Sequence, residues 1–134
     1  MAAKYSISLA KIAKTHGLDT VYTPKELSEI MVTSPDVYRP GLLLSGFSKY
    51  FDPERIQFLG ISEIEYLNSS KEEDRLRKIK RLLSKKPVAV VITRNQEYSQ
   101  DFLELAKKYE VPLLSTSVGT STCMSSLITY LSAE

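Results

Sequence analysis

The residues from Gly41 to Ser48 spell G-L-L-L-S-G-F-S, which matches the phosphate-loop pattern G-x-x-x-x-G-K-[ST] except at Phe47, where the lysine belongs. A working loop follows a strand, wraps backbone N–H groups around phosphate oxygens and runs into a helix. This stretch follows the proline-bearing turn Tyr38-Arg39-Pro40, and its three leucines sit where such a loop is polar and open. A helix starting at Pro40–Gly41 explains the residues better. In it Leu43, Phe47 and Tyr50 share one face, and Leu44, Phe47 and Phe51 lie along the neighbouring row. Gly46 inside that helix would cost roughly 1 kcal/mol relative to alanine, offset by a tight helix–sheet contact. The segment is expected to pack, not to bind a nucleotide.

Other chemistry has little to draw on. With one histidine, His16, and one cysteine, Cys123, a tetrahedral zinc site would have to lean on carboxylates. Ser–His and Cys–His nucleophile schemes are weakened for the same reason. His16 precedes Gly17 at an expected helix end, where its ring would meet orphan carbonyls as a cap. Glu63 and Glu65 stand two apart on an expected helix and do not face each other as an acid–base pair would.

Two stretches are polar enough to bind something. Thr93-Arg94-Asn95-Gln96 follows an apolar strand pattern, and Ser115–Thr122 follows another and opens the last helix. In an open α/β sheet, ligands gather at the carboxyl ends of parallel strands, near helix N-termini. If those strands are neighbours, Arg94 and the hydroxyls of Ser117, Thr120 and Ser121 meet around an anion or small metabolite. The alternative is that these Ser and Thr residues only cap and turn the chain, with Arg94 holding a loop carboxylate. A second candidate surface is aromatic: Tyr38, Phe47, Tyr50 and Phe51, beside Leu42–Leu44, exceed what one small core hides and suit a subunit contact.

The elements that must position these residues alternate. Ser8–His16 has helical spacing with Gly17 as its stop, and Leu18–Tyr22 reads as a short strand. Thr23-Pro24-Lys25-Glu26 predicts a capping box and a brief helix through Glu29, followed by a strand at Ile30–Val32. Ser34–Gly41 reads as a turn-rich connection. From Ile56 onward the order is strand, helix, strand, helix, strand, helix. Ile56–Leu59 ends at Gly60, and Ser62-x-x-Glu65 and Ser70-x-x-Glu73 are helix openers. Leu76, Ile79, Leu82 and Leu83 follow at core spacing. Val88–Thr93 is a mostly β-branched run suited to a strand covered on both faces. Ser99 caps a helix with Phe102, Ala106 and Tyr109 on one side, Val111–Ser115 is a strand, and Thr120–Ser132 is the last helix. The expectation is one three-layer α/β domain with a mainly parallel sheet and right-handed crossovers.

Composition sets the bounds. The 134 residues are 43% apolar and 25% charged, with a net charge of +2, an ordinary globular mixture that demands neither nucleic acid nor lipid. Arg75–Lys86, RLRKIKRLLSKK, carries seven basic residues, but acids precede it and no aromatic platform interleaves, so a solvated helix face is expected. The single cysteine excludes an internal disulfide framework and suits a reducing, cytoplasmic setting. No apolar run is long enough for a signal or spanning segment.

Several motifs together resemble a known family. Asp36-Val37-Tyr38-Arg39-Pro40-Gly41, then Leu42–Gly46, then Arg55-Ile56-Gln57-Phe58-Leu59-Gly60 are similar in order and spacing to the N-terminal domain of bacterial HPr kinase/phosphorylase. The likeness continues through Val91–Arg94, Val111–Leu114 and Ser125–Leu131. It implies a fold similar to the N-terminal domains of Mur ligases, here filling residues 1–134 with a linker beginning near 132–134. It also implies a parent enzyme that controls carbon catabolite repression. That parent phosphorylates a serine of HPr with ATP or pyrophosphate and magnesium, removes the phosphate again, and assembles as a hexamer. The family's phosphate loop, catalytic histidine and magnesium-binding carboxylates lie beyond the resembled segment, so no catalytic, cofactor or metal residue is carried over. The expected role is a non-catalytic regulatory or assembly domain whose partners are the parent's catalytic domain, HPr through that parent, and further copies of itself. The alternative is a free-standing small-metabolite- or partner-binding module.

Overall fold

The computed structural model describes residues 6–46 and 51–133. Strand β1 (Ile7–Ser8) leads directly into helix α1 (Leu9–His16), then β2 (Asp19–Tyr22), a 3-10 turn at Leu27–Glu29, β3 (Met31–Val32), β4 (Val37–Tyr38) and α2 (Gly41–Leu44). The second half holds β5 (Ile56–Leu59), α3 (Ile61–Asn68), α4 (Glu72–Leu83), β6 (Val90–Ile92), α5 (Gln100–Tyr109), β7 (Leu113–Ser115) and α6 (Thr120–Ser132). Five strands form one sheet in the order β2-β7-β6-β5-β4, and β1 pairs with β3 in a separate two-stranded ribbon. β4 through β7 run parallel, while β2 closes the far edge antiparallel to β7.

The sheet is covered on both faces, as the β-branched runs require. Along β6, Val91 enters one core cluster while Val90 and Ile92 enter the other, because successive side chains point to opposite faces. On one face α1, α6 and the small ribbon pack through Leu9, Ile12, Leu127 and Leu131 against Phe58, Val91 and Leu114. On the other, Ile64, Leu82, Leu83 and Phe102 from α3, α4 and α5 cover Leu59, Val90, Ile92 and Leu113. Each such side chain, fully buried, contributes roughly 1.5–3 kcal/mol. Three layers with a mainly parallel sheet is therefore the observed architecture.

Local signals hold in part. Ser8 Oγ accepts the Lys11 N–H at 3.1 Å and opens α1, and Gly17 closes it at φ +67°, a left-handed turn that glycine adopts without a Cβ penalty. Several expectations fail for identifiable reasons. The Thr23 hydroxyl donates to the Lys25 carbonyl at 2.6 Å instead of capping, so only the 3-10 turn forms there. Ser34–Gly41 contains strand β4, which the pattern at two residues was too short to display. Gly41 therefore does follow a strand, but α2 ends at Leu44, and Gly46 takes φ +115° in the turn beyond it. Gly46 is thus a helix terminator, not a mid-helix packing residue. Phe47 and Tyr50 lie outside the described residues. α3 starts two residues early: Gly60, not Ser62, is its N-cap. Likewise Lys71, not Ser70, precedes α4, and the Ser70 hydroxyl donates to the Tyr66 carbonyl. His16 packs edge-on against Tyr130, ring centroids 5.0 Å apart, and its buried Nε2 has no partner. It is a packed ring, not a cap.

Candidate functional site

The carboxyl ends of the parallel strands deliver their next residues to one place. After β4 comes Arg39, after β5 Gly60, after β6 Thr93 and Arg94, and after β7 the turn into Gly119 and α6. Arg39, Ile61, Ser62, Arg94, Thr120 and Ser121 line a cleft of about 200 Å³ there.

Arg39 is fixed by a two-point contact with Glu63. Its Nη2 donates to Oε1 at 2.8 Å and its Nε to Oε2 at 3.1 Å. Glu63 is buried at 7% exposure and also accepts the Gly60 N–H at 2.9 Å. One carboxylate thereby caps α3 and orients a guanidinium, whose fork geometry suits bidentate pairing. The rest of the guanidinium remains open, since the Arg39 side chain is 38% exposed.

Arg94 is presented by a tight turn. It and Asn95 have φ values of +60° and +50°, a left-handed conformation that non-glycine residues adopt at a cost of order 1 kcal/mol or more. The Arg94 N–H donates to the Val118 carbonyl at 3.1 Å and the Asn95 N–H to the Thr116 carbonyl at 2.9 Å, tying this turn to the α6 approach. The guanidinium lies over Gly119, where a Cβ would come within 3.0 Å of Nη2 and 3.2 Å of Cζ. Gly60 is matched the same way to the other arginine: a Cβ there would meet Arg39 Nη2 at 2.5 Å and Thr120 Oγ1 at 2.6 Å. Both glycines are N-caps, of α3 and α6, and neither has a side chain to accept the first-turn N–H groups.

The floor is a buried hydroxyl pair, Thr93 Oγ1 and Thr120 Oγ1, 2.5 Å apart. Thr93 Oγ1 also reaches the Leu59 carbonyl at 3.4 Å, and Gln96 Nε2 donates to the Thr93 carbonyl at 3.0 Å. No lining residue is a carboxylate, imidazole or thiol, so the cleft offers donors and positive charge but no base or nucleophile–base pair.

Of the residues anticipated for an anion site, Arg94, Thr120 and Ser121 come together here. Ser117 does not. It stands exposed at the tip of a turn that Thr116 Oγ1 forms by accepting the Val118 N–H at 3.2 Å. Arg39 and Ser62 were not anticipated: Arg39 follows β4, a strand too short to be read from the sequence, and Ser62 lies in the first turn of α3. In the aromatic cluster, Tyr38 and Phe51 are half-buried and meet edge-on with centroids 6.0 Å apart. The basic stretch of α4 is largely engaged by its own fold: Arg75 with Asp101 at 3.1 Å, Arg77 with Asp74, and Arg81 with the Leu44 carbonyl at 2.8 Å.

The described residues of the phosphate-loop mimic do not form an open phosphate cradle. Leu43 and Leu44, in the stretch that mimics a phosphate loop, are fully buried. No group of three or more His, Cys, Asp or Glu side chains converges among the described residues. None of their helices is long and apolar enough to cross a membrane.

Comparison with known proteins follows the same outline. The chain is 39% identical to HPr kinase/phosphorylase of Caldicellulosiruptor bescii over 95% of its own length and 41% of that protein. It is 35% identical to the same enzyme of Lachnoclostridium phytofermentans over 97% of the chain and 42% of the relative. It thus spans about two fifths of the relatives it matches. Among solved structures, the CBS and DRTGG domains of the regulatory region of Clostridium perfringens pyrophosphatase, complexed with the activator diadenosine tetraphosphate, superpose with a TM-score of 0.60. That match covers 92% of this chain and 46% of that one at 18% identity, a likeness of fold. The model of the family described as HPr Serine kinase N terminus matches residues 7–131, and the chain belongs to that family.

Proposed function

We propose that this domain is the non-catalytic regulatory and assembly part of a bifunctional HPr serine kinase/phosphorylase, cytoplasmic and acting in carbon catabolite repression. The parent would use ATP or pyrophosphate with magnesium, and its HPr chemistry would reside in a catalytic domain of the same chain. The observation that carries this reading is the match to two fifths of HPr kinase/phosphorylases over nearly the whole domain. Assembly into a hexamer would use the segment holding Tyr38, Phe47, Tyr50 and Phe51.

The test compares three preparations: this polypeptide, the catalytic half of an HPr kinase/phosphorylase relative, and the two joined. Only preparations holding the catalytic half should label HPr on serine, and the joined protein should differ from the catalytic half alone in oligomeric mass or nucleotide response. Serine labelling by this polypeptide in proportion to its own concentration would overturn the reading. A second reading, a free-standing binding module, is favoured by the two-arginine cleft. It gains if no frame with a G-x-x-x-x-G-K-[ST] motif continues past Glu134.

A further inference from the structure

We propose that the cleft between Arg39 and Arg94 is a binding site for a small phosphate-class oxyanion, either inorganic phosphate or a short phosphate monoester. The inference does not depend on the domain's place in a kinase.

Charge is the first ground. Arg39 brings one positive charge that Glu63 balances, and Arg94 brings a second that nothing balances. Among the described residues, Arg39, Arg55, Arg75 and Arg77 each pair with a carboxylate, and Arg81 donates to a backbone carbonyl. Arg94 alone of the arginines has neither, although its backbone is tied down by two turn hydrogen bonds. Its exposed guanidinium lies beside Gly119 at the cleft with its donors unspent and open to an oxyanion.

The composition and size of the cleft set the ligand class. The hydroxyls of Ser62 and Ser121 add donors beside the two guanidinium groups, while Thr120 is paired with Thr93. A volume of about 200 Å³ equals the space of about seven waters at ~30 Å³ each. That admits a phosphoryl group with a few more atoms and falls below the usual range of drug-sized pockets. Ile61 is its one apolar lining residue. No aromatic face is present on which a base could stack, which disfavours a nucleotide. A larger hollow beside Lys25 and Glu26, about 510 Å³, carries opposed charges and no arginine.

The experiment is a titration of the isotope-labelled 134-residue chain with sodium phosphate, ionic strength held constant with chloride, followed by amide NMR. Expected are saturable shifts at Ser62, Arg94, Thr120 and Ser121 in the low-millimolar range. Arg94→Gln should weaken binding roughly tenfold, the scale of one charge-assisted contact. Gly119→Ala should do the same by another route. Its φ of −66° suits alanine, and the new methyl displaces the guanidinium without touching the core. Glycerol 3-phosphate forms the second arm. Tighter binding of the ester assigns an organic phosphate, and equal binding assigns the inorganic ion. No saturable shift by tens of millimolar phosphate, or curves that both variants leave unchanged, would sink the proposal.

Discussion

Gly60 and Gly119 occupy equivalent places, each an N-cap with an arginine lying across it, yet a methyl group at the two should have different consequences. At Gly60 the added Cβ meets Thr120 Oγ1 at 2.6 Å as well as Arg39, and Thr120 is short, buried and committed to Thr93. Nothing there can swing clear. Gly60→Ala should therefore cost about 1–3 kcal/mol, the usual penalty of overpacking. At Gly119 the obstacle is the far end of an exposed arginine. Gly119→Ala should stay within about 0.5 kcal/mol of the parent, as surface changes generally do. Urea unfolding of both variants checks the contrast, and equal costs would mean that Thr120 is not held as described. Glu63→Gln isolates the neighbouring ion pair. The amide oxygen can still accept the Gly60 N–H, but the two-point contact with Arg39 loses its charge, and a loss of about 1–2 kcal/mol is expected in the same assay. These residue details were only partly readable in advance. Arg94, Thr120 and Ser121 were found because polar residues after apolar strands point to a sheet's carboxyl edge. Arg39 was hidden inside a proline turn, and Ser62 was mistaken for a cap that lies two residues earlier, at Gly60.

At the scale of elements, what the sequence revealed depended on length. α4, α5 and α6 run ten residues or more, enough turns for apolar spacing to show, and β5 occupies the range Ile56–Leu59 that its residues suggest. β1 and β4 are two residues long. Alternation cannot be seen in so short a run, and their pairing is decided by partners distant in sequence. α2 was overextended because Gly46 was assigned to a helix, whereas its positive φ ends one. Two separate apolar clusters also carry a prediction. Leu82 of α4 and Leu127 of α6 are both fully buried but face opposite sides of the sheet. Each change to alanine should cost about 2–5 kcal/mol. Because the two sites share no cluster, the double variant should lose the sum to within about 0.5 kcal/mol. Denaturant unfolding of the two single variants and the double variant measures this. A shortfall well beyond that margin would mean that the sheet does not separate the clusters.

For the molecule as a whole, three groups bend stability against pH in a predictable way. Desolvation by burial lowers the His16 imidazole from its ordinary 6.5. Above that pH the ring is neutral in both states. Below it the unfolded chain takes up the proton first, so stability falls as pH drops from 6.5 through the lower folded value. Asp101 acts further down. Burial pushes its carboxyl up, but hydrogen bonds from Ser99 and Arg75, the Arg75 charge and the Phe102 N–H outweigh that and leave it below its ordinary 3.8. The folded chain thus keeps the carboxylate after the unfolded one has lost it, and a second loss follows as pH falls below 3.8. On the alkaline side, burial raises the Cys123 thiol above 9.0. The unfolded chain then ionises first, and stability declines as pH climbs past 9.0. The expected curve is a plateau between about 6.5 and 9.0 with shoulders on both flanks. Urea unfolding at a series of pH values would trace it, and three variants assign the shoulders. His16→Phe, which keeps a ring beside Tyr130, should flatten the slope just below 6.5. Asp101→Asn should remove the acid step, and Cys123→Ala the alkaline one. If His16→Phe leaves the slope below 6.5 untouched, the imidazole is not buried against Tyr130, and the packing of α1 on α6 must differ from the one described.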